Sequence, residues 1–507
     1  MSGGYVKSEI NPVAKPDATP GYNTAIPSCI MTPDRVETSI GDLTFFDGMP
    51  DAATVEKVYD NLDRMRGTDI FMDFVPLASV EALRRGMCAM GVDRCNKILL
   101  FDKLMDSNSL FLTGNTDTIY AIGLLDLGRD GPTVVEIPAG AGPGTVNDAY
   151  FRFVTDMGGP GPDRGQGGKY LIYPPGSDKS DAPEGYFVSE SPTFINWLPL
   201  RGFLVDGKTD SATKMWKETL KIYPLSEVDK PRQLETISGS HVIVNTIHAN
   251  DYTFYEEIND VIQREPVDAI DPELRGNLAA IGIQKGKSFA PDARMKRILT
   301  DAVAIGNATA RALAFRARSE KIWFYGKESC WYSAFDGFYE CGDYKWLIDK
   351  GNGGRNKEAR TIFFYIATVN TPAMVMKLIE RGSQYALACT DTKKQYLDGS
   401  KTYKLVIPKD VPAKDFWSLV VYDPQTRSML QTSQPYPSKN SKLATDMVTD
   451  ADGSITLWFA PRAPAGREKN WIQTVPGKGW FVCLRLYGPQ EAWYAKTWRP
   501  GEVELVE

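Results

Sequence analysis

Phe416-Trp417-Ser418-Leu419-Val420-Val421-Tyr422 runs directly into Asp423-Pro424-Gln425-Thr426-Arg427, an aromatic-rich strand closed by a proline-containing turn. The pattern repeats downstream. Ser454-Ile455-Thr456-Leu457-Trp458-Phe459 follows Asp452-Gly453, and Gly479-Trp480-Phe481-Val482-Cys483-Leu484-Arg485-Leu486-Tyr487 closes at Gly488-Pro489. Six of the chain's eleven tryptophans fall between positions 417 and 498. Strands of this kind at short intervals predict a β-sandwich over 385–507, with the aromatic side chains as its packed core rather than as a ligand platform. Arg485 alternates with Leu484 and Leu486, so on a buried face it needs a partner, either a structural pair or a pocket between domains.

Working outward, the same two-residue period returns between about 109 and 206, again with frequent Gly and Pro. Thr133-Val134-Val135-Glu136-Ile137, Tyr150-Phe151-Arg152-Phe153-Val154 and Lys169-Tyr170-Leu171-Ile172-Tyr173 read as strands of a second sandwich or barrel. Helical spacing precedes it: Val55, Val58, Tyr59 and Leu62 form a stripe behind Asp51 as N-cap, and a second helix is predicted over 79–90. Residues 46–206 therefore form a helical lead-in plus a first β domain, and 207–384 read as mainly helical. Within the latter, 292–318 carries Ile298, Ala302, Ile305, Thr309 and Leu313 on one face, and a helix over 253–264 stops near Pro266. Residues 330–357, with glycines at 351, 353 and 354, read as a long irregular surface segment. Residues 1–45 hold Pro12, Pro16, Pro20, Pro27 and Pro33 and predict an extended arm, either a disordered tail or an arm anchored on a neighbouring subunit by Ile26, Ile30 and Met31. The expected class is α+β: two antiparallel, jelly-roll-like β-sandwiches separated by a largely helical region.

Composition narrows the function classes. The 507 residues are 42% hydrophobic and 11% aromatic, enough for large cores, and carry 58 basic against 64 acidic residues for a net charge of −6. The two signs are mixed, with no basic stripe, which argues against a nucleic-acid partner. Apolar runs are strand-length, so no membrane span is expected. The seven cysteines (29, 88, 95, 330, 341, 389 and 483) contain no Cys-x-x-Cys pair and suit buried thiols in a reducing compartment, although Cys330 and Cys341 could pair if exported. The N-terminus lacks an apolar signal core, which reads as cytoplasmic.

Motifs for familiar chemistries are missing. There is no Gly-x-Ser-x-Gly elbow. The glycine-rich run 158–168 fails as a phosphate loop, because Asp163 stands five residues before Gly168 and Tyr170 follows Lys169. Only His241 and His248 are available for a triad or a metal site, and their segment reads as extended, which puts them on opposite faces. No cofactor is implied and no metal ligands are assigned.

Candidate binding residues cluster in the first β domain. Asn115, Asp117 and Tyr120 sit at the mouth of an apolar strand, Tyr150 and Arg152 share one face of theirs, and Asp163 and Lys169 lie in or beside the glycine-rich loop. Carboxylates, a guanidinium and tyrosines at one end of a sandwich suit a small polar or sugar-like ligand. The alternative is structural, with Asn115 and Asp117 capping turns and Arg152 in an ion pair.

These residues carry a resemblance. Gly114-Asn115-Thr116-Asp117-Thr118-Ile119-Tyr120, followed by Gly161-Pro162-Asp163, Gly167-Gly168-Lys169-Tyr170 and Pro174-Pro175-Gly176, is similar to the N-terminal domain of unknown function 1254. Phe416-Trp417, Tyr422-Asp423, Arg427, Asn470-Trp471-Ile472, Gly479-Trp480 and Leu484-Arg485-Leu486-Tyr487 resemble its usual companion, the domain of unknown function 1214. The resemblance implies two β-sandwiches separated by helices, brings no catalytic residues, and implies export to the periplasm, as in many relatives. The expected function is an oligomeric protein that binds a polar or sugar-like ligand, assembled through the N-terminal arm, with a trimer as one option. The alternative is a hydrolase using Asp117, Asp156 or Asp163 as acid or base, with Arg152 positioning the substrate. A metal enzyme built on His241 and His248 is the third reading.

Overall fold

Asp51 accepts a hydrogen bond from Thr54 N at 2.7 Å and opens α1 (Ala52–Ala89), a helix of 38 residues. The pattern predicts two helices here, and the chain forms one. Pro76, inside it, removes a single ladder donor, and the Met72 carbonyl that this frees accepts from the Thr361 hydroxyl at 3.4 Å. The computed structural model describes residues 26–180, 182–333, 335, 344–443 and 446–506.

The second half of α1 is buried against α2 (Thr253–Arg264), α3 (Ala293–Phe315) and α4 (Lys357–Ile366). The crossing with α3 is close: a Cβ on Gly67 would lie 2.7 Å from Ala302 Cβ, and one on Gly306 would lie 2.8 Å from Phe71 Cβ. Glycine is the residue that permits this approach.

The first β region contains β1 (Lys97–Leu100), β2 (Ile119–Asp126), β3 (Thr133–Ile137), β4 (Gly144–Asp148), β5 (Phe153–Met157), β6 (Gly168–Tyr173), β7 (Tyr186–Glu190), β8 (Ile195–Gly202), β9 (Lys221–Pro224) and β10 (Glu235–Ser238). They form a six-stranded sheet in the order β10-β1-β2-β8-β4-β5 and a four-stranded sheet in the order β7-β6-β3-β9. Strands therefore continue to residue 238, beyond the 206 expected, because Ile222 and Tyr223 complete the small sheet. The expected strand over 150–154 begins only at Phe153, since Tyr150 and Phe151 form a turn in which Phe151 has a φ of 53°.

The C-terminal β region contains β11 (Ser383–Ala388), β12 (Thr402–Ile407), β13 (Ala413–Tyr422), β14 (Ser438–Asn440), β15 (Ile455–Ala460), β16 (Trp471–Gln473), β17 (Phe481–Pro489) and β18 (Glu504–Val506). Trp331–Tyr332, β11, β17, β13 and β14 make a five-stranded sheet, and β16, β15, β12 and β18 a four-stranded one. The expected surface character of 330–357 holds for residues 349–355, which are exposed, but not for Trp331, fully buried on the sheet edge, or Trp346, which packs against Phe335 and Phe363.

Three large cores, and a small one of Val134, Leu171, Tyr173 and Tyr223, follow from these faces. Ile98, Leu125 and Leu200 of the large sheet share one core with Val135 and Tyr170 of the small sheet in the first region. Tyr403, Trp417, Phe459, Trp480 and Leu484 share another in the second. The largest cluster joins α1, α2, α3 and α4 to the opposite faces of both large sheets, through Tyr120 and Trp197 on one side and Tyr422 and Cys483 on the other. The architecture is mixed α+β, with a helical layer wedged between two β regions. Of the predicted arm, residues 1–25 lie outside the described residues, as does Cys341 of the Cys330–Cys341 option. Residues 35–50 form a small three-stranded sheet rather than an extended arm, because Arg35–Val36 pairs with Leu43–Phe46 and a two-residue Asp47-Gly48 turn returns the chain. No helix among the described residues is long and apolar enough to cross a membrane.

Candidate functional site

The loop from β1 to β2 fastens the first β region to the second. Asn115 Oδ1 accepts from the backbone N of Asp117 at 2.9 Å and of Thr118 at 3.2 Å, while its Nδ2 donates to the Tyr120 hydroxyl at 2.6 Å. This turn aims Asp117 at the five-stranded sheet. There its carboxylate accepts from Ser418 Oγ at 2.5 Å, Asn440 Nδ2 at 2.7 Å and Tyr487 OH at 3.0 Å. Tyr422 OH donates to Gly114 O at 2.7 Å and Thr113 N to Arg427 O at 2.8 Å, so the clasp is both side-chain and main-chain.

Beside the clasp, each large sheet presents a cross-strand Tyr/Arg pair to the same cavity. On β2 and β8, Tyr120 stands opposite Arg201, whose guanidinium lies 5.4 Å from the ring centre. On β11 and β17, Tyr385 stands opposite Arg485, at 5.3 Å. The cavity leaves about 50 Å³ for the centres of water-sized molecules and is otherwise walled mainly by apolar side chains such as Phe111, Phe363, Ile366 and Leu387, with Thr113 and Thr368. Among the described residues no carboxylate lines it. Arg485 is 4% exposed and donates to Thr113 O at 2.5 Å and Tyr422 OH at 2.7 Å, yet its Nε has no acceptor and neither does the hydroxyl of Tyr385 have a partner. Among the described residues Arg201 makes no side-chain hydrogen bond and neither arginine forms an ion pair. Burial works against both charges. Around Arg201 the Tyr120, Tyr385 and Tyr487 oxygens outweigh it, around Arg485 those of Tyr422, Tyr487 and Tyr385 with the Cys483 sulfur, and both groups remain cations. The thiol of Cys483, also in the wall, is pushed up to about 11 by burial and is no nucleophile at neutral pH.

Arg201, Val369 and Met374 also border an adjoining lobe that holds Asp156. Both carboxylate oxygens of Asp156 accept from Thr371 Oγ1, at 2.7 and 2.8 Å, and burial nevertheless pushes its pKa up to about 6.

Residues 382–491 match the family described as protein of unknown function DUF1214, and residues 95–224 match the family described as protein of unknown function DUF1254. The chain carries both domains, the DUF1254 domain first. Solved structures similar to it include the VPA0106 protein from Vibrio parahaemolyticus, 17% identical over 87% of this chain and 100% of that one, with a TM-score of 0.49. Another is an uncharacterized protein from Burkholderia cenocepacia, 11% identical over 90% and 97% of the two chains, with a TM-score of 0.37. No curated protein matches the chain. Tyr120 and Arg201 belong to the DUF1254 domain, Tyr385 and Arg485 to the DUF1214 domain, so neither completes the cavity alone.

The candidates picked out in the sequence of the DUF1254 domain separate into three places. Asn115, Asp117 and Tyr120 meet at the seam with the DUF1214 domain. Tyr150 and Arg152 line a different cavity with Arg360 and Phe364, brought together by their turn: Asp148 Oδ1 accepts from both backbone N atoms at 2.8 Å. Arg152 is engaged there by Asp148 Oδ2 at 2.6 Å and Ala269 O at 2.9 Å, and Tyr150 OH donates to Asp73 O at 2.6 Å. Asp163 closes the glycine-rich loop through Gly165 N, Gly167 N and Tyr170 OH, and Lys169 stands outside, 3.7 Å from Glu136. The histidines have separate surroundings. His241 Nδ1 meets Asp106 at 2.6 Å, whereas His248 is buried among Phe71, Phe254 and Tyr365 and held neutral, its pKa pulled down to about 3 by burial. Among the described residues no three His, Cys, Asp or Glu are grouped to hold a metal ion.

Proposed function

We propose that the protein binds a small anionic ligand at the seam between its DUF1254 and DUF1214 domains, each domain being a β-sandwich whose two sheets close on a shared core. The observation that carries this reading is a pair of guanidiniums, Arg201 and Arg485, in one cavity with no carboxylate among the described residues of its wall. A buried cation without a counter-ion is costly, so a site that keeps two of them together is organised for a charge supplied from outside. Tyr385 adds a hydroxyl free to donate.

The hydrolase reading has weaker support. Asp156 has the raised pKa that an acid–base group needs, but Asp117 and Asp163 are engaged elsewhere and Arg152 faces another cavity. Homo-oligomerisation stays part of the proposal, on the apolar side chains Ile26, Ile30, Phe46 and Met49 exposed on the segment before α1.

The test is thermal denaturation of the full chain with acetate, sulfate, phosphate and longer carboxylates, beside the Arg201→Gln/Arg485→Met double variant. Anions are expected to raise the wild-type melting temperature and to leave the double variant unmoved. Equal shifts in both proteins would reject the site.

A further inference from the structure

Resting on the anion-binding reading above, we infer that the ligand is an amphipathic monocarboxylate, a single carboxylate head on an apolar body, and not a sugar. Charge sets the head. Arg201 and Arg485 bring two positive charges, and Asp117 brings one negative charge to the same neighbourhood, hydrogen-bonded to the Tyr487 that also sits in the field of both arginines. With Asp156 of the adjoining lobe protonated, as burial keeps it up to about 6, the balance is one positive charge, which a monoanion neutralises and a dianion overshoots.

Hydrogen-bonding capacity sets the body. The unpaired polar atoms of the wall belong to neighbouring side chains: Arg485 Nε, the Tyr385 hydroxyl directly across the strand, and the Arg201 guanidinium coupled to that tyrosine. They are nearly all donors, which suits the two oxygens of a carboxylate. Beyond them the described wall is mainly Phe111, Phe363, Ile366, Met374 and Leu387, with the hydroxyls of Thr113 and Thr368 and no Asn, Gln, Asp or Glu side chain. Two threonines cannot serve every hydroxyl of a sugar placed there, so most would lose their water without gaining a partner, whereas a hydrocarbon loses nothing. Ordinary ligand cavities share this division between many apolar walls and a few convergent polar groups.

The experiment is isothermal titration of the full chain with acetate, hexanoate, octanoate and decanoate, and with octanamide, gluconate and inorganic phosphate as controls. Affinity is expected to rise about fourfold per methylene over the series. Octanamide is expected to bind at least about tenfold more weakly than octanoate, and gluconate no better than acetate. Arg201→Gln, which breaks no hydrogen bond, is expected to erase the preference for octanoate over octanamide. Gluconate or phosphate binding as tightly as octanoate would overturn the amphipathic class while leaving the anion site standing. No binding by any anion would overturn the site itself, and so would octanamide matching octanoate.

Discussion

Asp117 and Arg485 are buried charges set against the same face of the same sheet. Ser418, which donates to Asp117, stands directly opposite Arg485 on the next strand. Their surroundings are opposite in kind. Three neutral donors from three strands converge on Asp117, and nothing in that set is left over. Around Arg485, the Nε and the hydroxyl of Tyr385 remain without partners, and a second guanidinium faces the same space. A buried charge with a full complement of partners holds architecture together. One with an incomplete complement, beside a cavity, has donors to offer, and it is there that the ligand is proposed to bind.

The largest test of this contrast is Asp117→Ala. It strands the donors of Ser418, Asn440 and Tyr487 in a closed interface, and is expected to lower stability by about 4 kcal/mol. Urea denaturation measures it, and a loss below about 1 kcal/mol would mean that the clasp is not what joins the domains. Asp156, whose only partners are threonine hydroxyls, gives the intermediate case. In the unfolded chain it ionises near 3.8, and in the folded chain burial keeps it protonated up to about 6. Between those values the folded state holds the extra proton, so stability falls as pH rises from about 4 to about 6, by on the order of 3 kcal/mol, and is level above. Asp156→Asn is expected to remove that fall. Urea midpoints at both ends of the range decide it, and a variant that tracks the wild type at every pH would remove Asp156 from the comparison. The smallest effect belongs to Arg201→Gln without ligand. Deleting a cation that makes no hydrogen bond is expected to change stability by less than about 1 kcal/mol, or to raise it. A loss comparable to that of Asp117→Ala would show that Arg201 has a structural partner, and the two regions would no longer differ.

Much of the fold is written locally. Thr133–Ile137 and Thr253–Arg264 follow the sequence pattern residue for residue, and α3 lies inside the helix read over 292–318. The misreadings come from tertiary context. Pro76 reads as a break but sits in a helix because Thr361 from another element takes the freed carbonyl. The segment after Cys330 has loop composition, yet Trp331 is drawn into the core of the C-terminal β region and Trp346 into that of the helices. The site was legible only in part. Arg485 announces itself as a charge on an apolar strand. Arg201 ends a similar strand, but its importance depends on facing Tyr385 and Arg485 across a seam between segments almost two hundred residues apart. Asn115 and Asp117 stand out for their polarity, which proves to be that of a clasp. No spacing rule distinguishes a carboxylate aimed at a ligand from one aimed at a neighbouring domain.

That clasp also imposes an order of events on the chain as it is made. Asp117 waits for Ser418, 301 residues later, and for Tyr487, 370 residues later. At ordinary rates of synthesis this delay is on the order of tens of seconds. Throughout it the first β region can close its own core, but its loop stays open to water and the cavity has only one of its two arginines. The last long strand to leave the ribosome therefore both joins the halves and creates the pocket, so a prematurely terminated chain would carry a folded first half with no means of holding a ligand.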